Sequence, residues 1–275
     1  MITNAANRRL PRRWYGAYVF DLDGTIYLGD QLLPTVADTI RRLHERGIPV
    51  RYLSNNPTRS VIEYLDKLGR LGVPVERGEV VNTLVSTTMW LRANRSDAVV
   101  YPIGEEPLLR ALEEAGIQIS DDPARIDIVL ASYDRTFEYR KLQIAFDALW
   151  FHRRAVLMST NPDRYCPFPG GRGQPDAASI VAAIEASTGA VCERTFGKPS
   201  ELMAQIVLET VSAEPSNAVM VGDRLATDIA MGVTAGMDTA LVLTGDSVRD
   251  EVARLPESMR PTYVLERLSE LLPER

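Results

Sequence analysis

The sequence predicts an α/β fold built on a parallel sheet, and three observations carry that prediction. From residue 18 onward, short apolar runs alternate with amphipathic stretches of helical period. Each run stops at a cluster of Ser, Asn, Asp, Gly or Pro, as it does where loops leave the carboxyl ends of parallel strands. Pro34 and Gly47 bound the first amphipathic segment as helix start and stop signals.

The first strand is apolar through Phe20 and ends at Asp21-Leu22-Asp23-Gly24-Thr25. Backbone extended through Leu22 would turn Asp21 and Asp23 to the same side. Such a pair can coexist through a bound cation, a proton on one member, or exposure to solvent. A loop over residues 26–33 leads to a helix carrying Val36, Ile40 and Leu43. Residues 48–53 form the next strand, closed by Ser54-Asn55-Asn56-Pro57, and a helix follows with Val61, Leu65 and Leu68 on one face.

The same rhythm predicts strands over 98–101, 126–132 and 155–159, with helices over 107–115 and 138–152. Residues 160–175 break it with four prolines and three glycines, which predicts a long irregular loop of functional or mobile character. A helix over 176–188 precedes Phe196-Gly197-Lys198-Pro199, after which Leu202, Ile206 and Leu208 line another. A strand over 218–221 ends in Gly222-Asp223, and a strand over 239–243 ends in Thr244-Gly245. Val264, Leu265, Leu268 and Leu271 predict one last strand or helix.

With 31 Lys+Arg against 37 Asp+Glu the formal charge is -6, which disfavours nucleic acid as the main partner. An anionic ligand would have to be held locally by a metal, a lysine or backbone N–H groups. Cys166 and Cys192 have no metal-ligand spacing and no disulfide pattern. No run approaches the length of a membrane span, and the basic start with Arg8, Arg9, Arg12 and Arg13 lacks an apolar signal region. The expectation is a cytoplasmic protein, without a membrane partner, whose N-terminal arginines form a solvated arm. His44 and His152 both fall in predicted helices, which disfavours a histidine-based metal site or triad.

Four strand ends or helix starts thus carry polar chemistry: Asp21/Asp23, Ser54/Asn55, Lys198 and Asp223/Asp228. Singly, Ser54 reads as a turn or N-cap residue, Lys198 as a surface lysine and Asp223 as a cap. Together they suit phosphoryl transfer. Carboxylates offer hard oxygen ligands to Mg²⁺, a lysine and a hydroxyl hold phosphate oxygens, and one Asp can act as nucleophile.

In order and spacing, Asp21-x-Asp23-Gly24-Thr25, Ser54-Asn55, Gly197-Lys198-Pro199 and Gly222-Asp223 with Asp228 resemble the four motifs of the haloacid dehalogenase superfamily. The intervening segment, with Thr160-Asn161-Pro162-Asp163 and the Pro/Gly-rich stretch, resembles subfamily IIA and its NagD-like phosphatases. The resemblance implies a Rossmann-like parallel-sheet core over residues 1–80 and 186–275, with an inserted α/β cap over 81–185 that governs specificity.

It implies Asp21 as nucleophile and metal ligand, and Asp23 as general acid and base with its carbonyl on the metal. Gly24 would permit the turn and Thr25 steady it. Ser54, the Asn55 N–H and Asn56 would bind phosphate, Lys198 would bridge phosphate and Asp21, and Asp223 and Asp228 would serve Mg²⁺. Asn161 and Arg164 are the candidate substrate contacts in the cap. The partner would be a small phosphorylated metabolite, and the resemblance leaves room for a homo-oligomer through the cap.

A proton donor at position 23 suits an alkoxide leaving group, so the reading is a phosphomonoesterase rather than an ATPase. A receiver-type signalling domain and a phospho-ligand sensor with little turnover are the alternatives. Steady release of phosphate from 4-nitrophenyl phosphate separates them.

Overall fold

Burial of the opening strand is complete: all five residues of Ala17–Asp21 are buried, as a strand covered on both faces of a parallel sheet must be. The computed structural model describes residues 10–168 and 172–273, and Arg8 and Arg9 of the expected arm lie outside them. The chain divides into two compact units. One takes Met1–Leu53, Tyr64–Val81 and Glu201–Arg275, the other Ser54–Glu63 and Asn82–Ser200.

A six-stranded sheet organises the first unit, in the order Tyr263–Leu265, Asp238–Val242, Ala218–Gly222, Ala17–Asp21, Val50–Ser54, Val80–Asn82. Ala17–Asp21 is parallel to both neighbours, with Phe20 opposite Val221 on one side and Asp21 opposite Leu53 on the other. The chain leaves this strand toward Val50–Ser54 and later returns on its other flank. Strand order therefore reverses here, and the carboxyl ends splay around a crevice, where open α/β sheets bind their ligands. This is the Rossmann-like parallel arrangement that the sequence predicts.

Aromatic rings stiffen the same strand. Tyr18 stacks on Phe20 at 6.3 Å between centroids, and Phe20 meets Tyr52 at 6.2 Å. Upstream, the Tyr15 hydroxyl donates to Asp238 Oδ2 at 2.6 Å and lies 2.8 Å from the Tyr263 hydroxyl. Arg13 departs from the solvated arm expected of it. Its guanidinium donates to the Ser216 carbonyl at 2.8 Å and lies 4.6 Å from the Tyr15 ring centroid, so cation–π contact docks it.

The second unit has its own parallel sheet, in the order Cys192–Thr195, Val156–Ser159, Ile128–Ala131, Val99–Ile103, Gln118–Ile119. Val129, Ala131, Leu157, Ile180 and Ile184 belong to its core, which explains the apolar runs and the small Ala-rich face of the helix Ala177–Thr188.

The expected irregular loop over 160–175 is not structureless. Tyr165–Phe168 and Arg172–Pro175 pair as an antiparallel hairpin. Prolines argue against a central strand because they cannot donate to the ladder, but a two-stranded ribbon has only edges and tolerates them. The loop over 26–33 likewise pairs Tyr27–Leu28 with Gln31–Leu32. The helix expected over 138–152 runs from Tyr139 to Phe146 and then widens into a π-turn, Asp147–Phe151. Among the described residues, no helix is long and apolar enough to cross a membrane.

Close packing of helix on sheet is tightest at Gly232, in the helix Ala230–Thr234. A Cβ there would lie 2.5 Å from Thr239 Cγ2 and 2.9 Å from Met220 Cβ. Gly232→Ala is therefore expected to lower stability by roughly 1–3 kcal/mol through overpacking. Urea unfolding followed by far-ultraviolet circular dichroism checks this. An unchanged midpoint would mean that the helix can shift to admit the methyl group.

Candidate active site

In the first unit the site begins where Ala17–Asp21 ends. The peptide N–H groups of Thr25, Ile26 and Tyr27 converge on the Leu22 carbonyl at 3.3, 2.8 and 3.3 Å, and Gly24 N–H donates to the Tyr27 carbonyl at 2.8 Å. The chain thus leaves its extended course just after Asp21. Asp21 is buried, whereas Asp23 is exposed and accepts a hydrogen bond from the Tyr27 hydroxyl at 3.3 Å.

The neighbouring strand delivers Asp223. Its Oδ2 accepts from Asp246 N–H at 2.7 Å, and its carbonyl from Ser247 N–H at 3.1 Å. Space for this carboxylate is made by two missing side chains. A Cβ on Gly24, whose φ is +93°, would lie 2.4 Å from Asp223 Oδ2, and one on Gly245 would lie 1.9 Å from the same oxygen. Asp228 comes from the π-turn Leu225–Ile229, and its Oδ2 accepts from Arg224 N–H at 3.0 Å. A Cβ on Gly222 would fall 2.2 Å from Asp228 Cβ, so that glycine is what lets the turn close.

The result is a buried trio. One oxygen from each of Asp21, Asp223 and Asp228 lies within 4.8 Å of the others. Asp23 stands outside the trio by its carboxylate. Three hard oxygen donors at that separation, all carboxylates, fit a hard divalent cation and no soft one.

In the second unit the other predicted residues gather around Asn55. Its Oδ1 accepts from Lys198 N–H at 2.7 Å, and its Nδ2 donates to the Lys198 carbonyl at 3.0 Å and to Asp163 Oδ1 at 3.3 Å. This amide clasp fixes the backbone of Lys198, itself only 2% exposed. Gly197 must be glycine for the clasp to form, because a Cβ there would lie 2.6 Å from Asn55 Oδ1. Ser54 Oγ accepts from Asn56 N–H at 3.1 Å, and Asn56 Oδ1 takes the N–H of Thr58 at 2.9 Å.

Asn161, expected as a substrate contact, lies in the turn that leads into the hairpin. It is fully buried, its Oδ1 accepts from Asp163 N–H at 2.9 Å, and its carbonyl accepts from the Ser159 hydroxyl at 2.8 Å. Its side chain is committed to the turn that leads into the hairpin. Arg164, three residues on, is exposed.

Sequence reasoning passed over the segment 244–247 and Thr83. The Thr244 hydroxyl donates to the Gly24 carbonyl at 2.6 Å, and Ser247 Oγ accepts from Leu225 N–H at 3.1 Å. Thr83 donates to the Asn55 carbonyl at 3.3 Å. A signal for the first group was present, since Thr244-Gly245 closes a strand as Gly222-Asp223 does.

A family profile described as haloacid dehalogenase-like hydrolase matches residues 18–118, and a second, HAD-hydrolase-like profile matches residues 195–271. The chain is 33% identical to the 5'-nucleotidase YutF of Bacillus subtilis, over 94% of this chain and 98% of that one. It is 34% identical to an acid sugar phosphatase of Staphylococcus haemolyticus, over 94% and 96% of the two chains. The crystal structure of a 4-nitrophenylphosphatase from Thermotoga maritima superposes with a TM-score of 0.86 at 32% identity, covering 94% of this chain and 96% of that one. With the motif residues at the ends of parallel strands and these matches along nearly the whole chain, the protein belongs to the haloacid dehalogenase-like hydrolases.

Proposed function

We propose that the chain hydrolyses small phosphomonoesters, sugar phosphates or similar metabolites, with Mg²⁺ and by way of an aspartyl-phosphate on Asp21. The observation that carries this reading is the buried trio Asp21, Asp223 and Asp228 at the carboxyl end of a parallel sheet, with exposed Asp23 two residues from the nucleophile. The relatives named for 5'-nucleotides, acid sugar phosphates and 4-nitrophenyl phosphate support a small phosphomonoester as the substrate class.

In this reading one carboxylate oxygen of Asp21 attacks phosphorus and the bond to the leaving oxygen breaks. Asp23 gives its proton to that oxygen, which an alkoxide requires. Asp23 then takes a proton from water as the water oxygen attacks phosphorus, which frees Asp21 and inorganic phosphate. Asp21, Asp223, Asp228 and, by the motif, the Asp23 carbonyl would hold Mg²⁺, which would supply charge neutralisation of the phosphate when bound. Lys198, Ser54, Asn55 and Asn56 carry the phosphate-holding roles that the motif order assigns, and their mutual hydrogen bonds favour a fixed array over mobile donors.

Asp21→Asn is expected to remove turnover while circular dichroism stays unchanged, since an amide of equal shape is neither nucleophile nor good metal ligand. Asp23→Asn should cost roughly 10²- to 10⁴-fold in kcat for an alkyl phosphate and clearly less for 4-nitrophenyl phosphate, whose anion leaves unaided. Equal losses on the two substrates would remove the acid role from Asp23.

Chelation provides the second test. Steady phosphate release from 4-nitrophenyl phosphate should vanish in EDTA and return with Mg²⁺, with Ca²⁺ a poor substitute because its coordination is looser. Full activity in chelator would refute the metal assignment. Tight phosphate binding without release would favour a sensor on the same scaffold.

A further inference from the structure

The hairpin of the second unit walls a cavity of about 400 Å³, lined by Arg164, Tyr165, Arg172, Gln174 and Ser179. Its charged residues are both arginines. Among the described residues neither Arg164 nor Arg172 has an ion-pair partner, so two arginines line one volume with no carboxylate residue in the lining. The acidic side chains nearest in sequence are engaged elsewhere. Asp163 Oδ1 accepts from Asn55 Nδ2, and Asp176 Oδ1 accepts from Ala177 N–H at 2.6 Å as it caps its helix.

Gln174 is turned to the same purpose. Its Oε1 accepts the Tyr133 hydroxyl at 2.6 Å, which leaves its amide N–H groups for another acceptor. Tyr133 stays a donor at any working pH, because burial pushes its hydroxyl up to about 12. The lining therefore combines two fixed positive charges with an amide donor, while the Ser179 hydroxyl donates to the Arg164 carbonyl at 3.5 Å; that composition matches a carboxylate or phosphate and repels a cation.

Sequence neighbours of the lining residues touch the residues assigned to phosphate. Asp163, adjacent to Arg164, holds Asn55, and Cys166 in the hairpin lies 3.9 Å from Asn56 Nδ2. We propose that this cavity receives a second anionic group, so that the preferred substrates are phosphomonoesters whose leaving portion itself carries a carboxylate or a phosphate. The inference rests on the phosphatase reading above and narrows its substrate class.

Matched pairs of probes test it through kcat/KM with Mg²⁺. One pair is 3-phosphoglycerate against glycerol 3-phosphate, and the other is glucose 1,6-bisphosphate against glucose 6-phosphate. The doubly anionic member of at least one pair is expected to lead by roughly ten- to a hundredfold, the scale of charged hydrogen bonds. The leading pair tells carboxylate from phosphate. In Arg164→Ala and in Arg172→Ala that ratio should fall toward one, while Arg172→Lys should keep part of it.

A ratio near one for both pairs in the wild type, or a ratio that survives both alanine variants, overturns the inference. If 4-nitrophenyl phosphate is turned over normally at the same time, the inference fails alone. If the wild type releases no phosphate from any of the five compounds, the phosphatase reading fails and the inference falls with it.

Discussion

Electrostatic repulsion among three buried carboxylates is the constraint around which the first unit is built. At an effective dielectric of about 20, two unit charges near 4.8 Å apart repel by roughly 3–4 kcal/mol, so three such pairs cost on the order of 10 kcal/mol. That is comparable with the whole stability of a domain, and positive charge, hydrogen-bond donors or protons must offset it. The fold nonetheless spends three glycines on keeping the group together. Gly24 and Gly245 clear the volume of the Asp223 carboxylate, and Gly222 clears that of Asp228.

Around Lys198 the second unit solves a different problem. A long lysine side chain has many rotamers, and ordering it costs up to roughly 2 kcal/mol of entropy. The Asn55 amide fixes both backbone polar groups of Lys198, and Thr83 steadies the Asn55 carbonyl in turn. Position is thus set through the main chain, and burial of Lys198 to 2% exposure restricts the rest. The sequence motif named Asn55 for its N–H, whereas its side chain does the positioning.

The core sheet was legible because its strands are apolar throughout and end on conspicuous polar clusters, as Ala17–Asp21 and Ala218–Gly222 do. Asp21, Asp223 and Asp228 were legible for the same reason. The edge strand Cys192–Thr195 was not, since Cys-Glu-Arg-Thr is largely exposed and has no apolar face to give a period. Nor was the three-residue strand Val80–Asn82, too short for any pattern. The hairpin was hidden by Pro167 and Pro175, whose usual meaning holds for central strands only. Thr244 was marked as a strand end, but the contacts of Thr244 and Ser247 with Gly24 and Leu225 were not legible because they join segments more than 20 residues apart. The Asx-type turn that the Asn161 side chain forms with Asp163 N–H was not legible, because polarity alone does not tell a turn residue from a ligand contact.

Asp21 and Asp23 are chemically the same group two residues apart, and an extended strand would have given them the same surroundings. The turn wound on the Leu22 carbonyl separates them. Asp21 keeps its place in the buried trio, shielded from water that would compete for an electrophile. Asp23 emerges into solvent beside the Tyr27 hydroxyl, where it can exchange protons between successive steps. In the proposed reaction, environments that differ this sharply would let one residue type serve both as nucleophile and as proton carrier. The division depends on Gly24, because only a residue that tolerates φ of +93° and leaves room for Asp223 can stand at the point where the two carboxylates part.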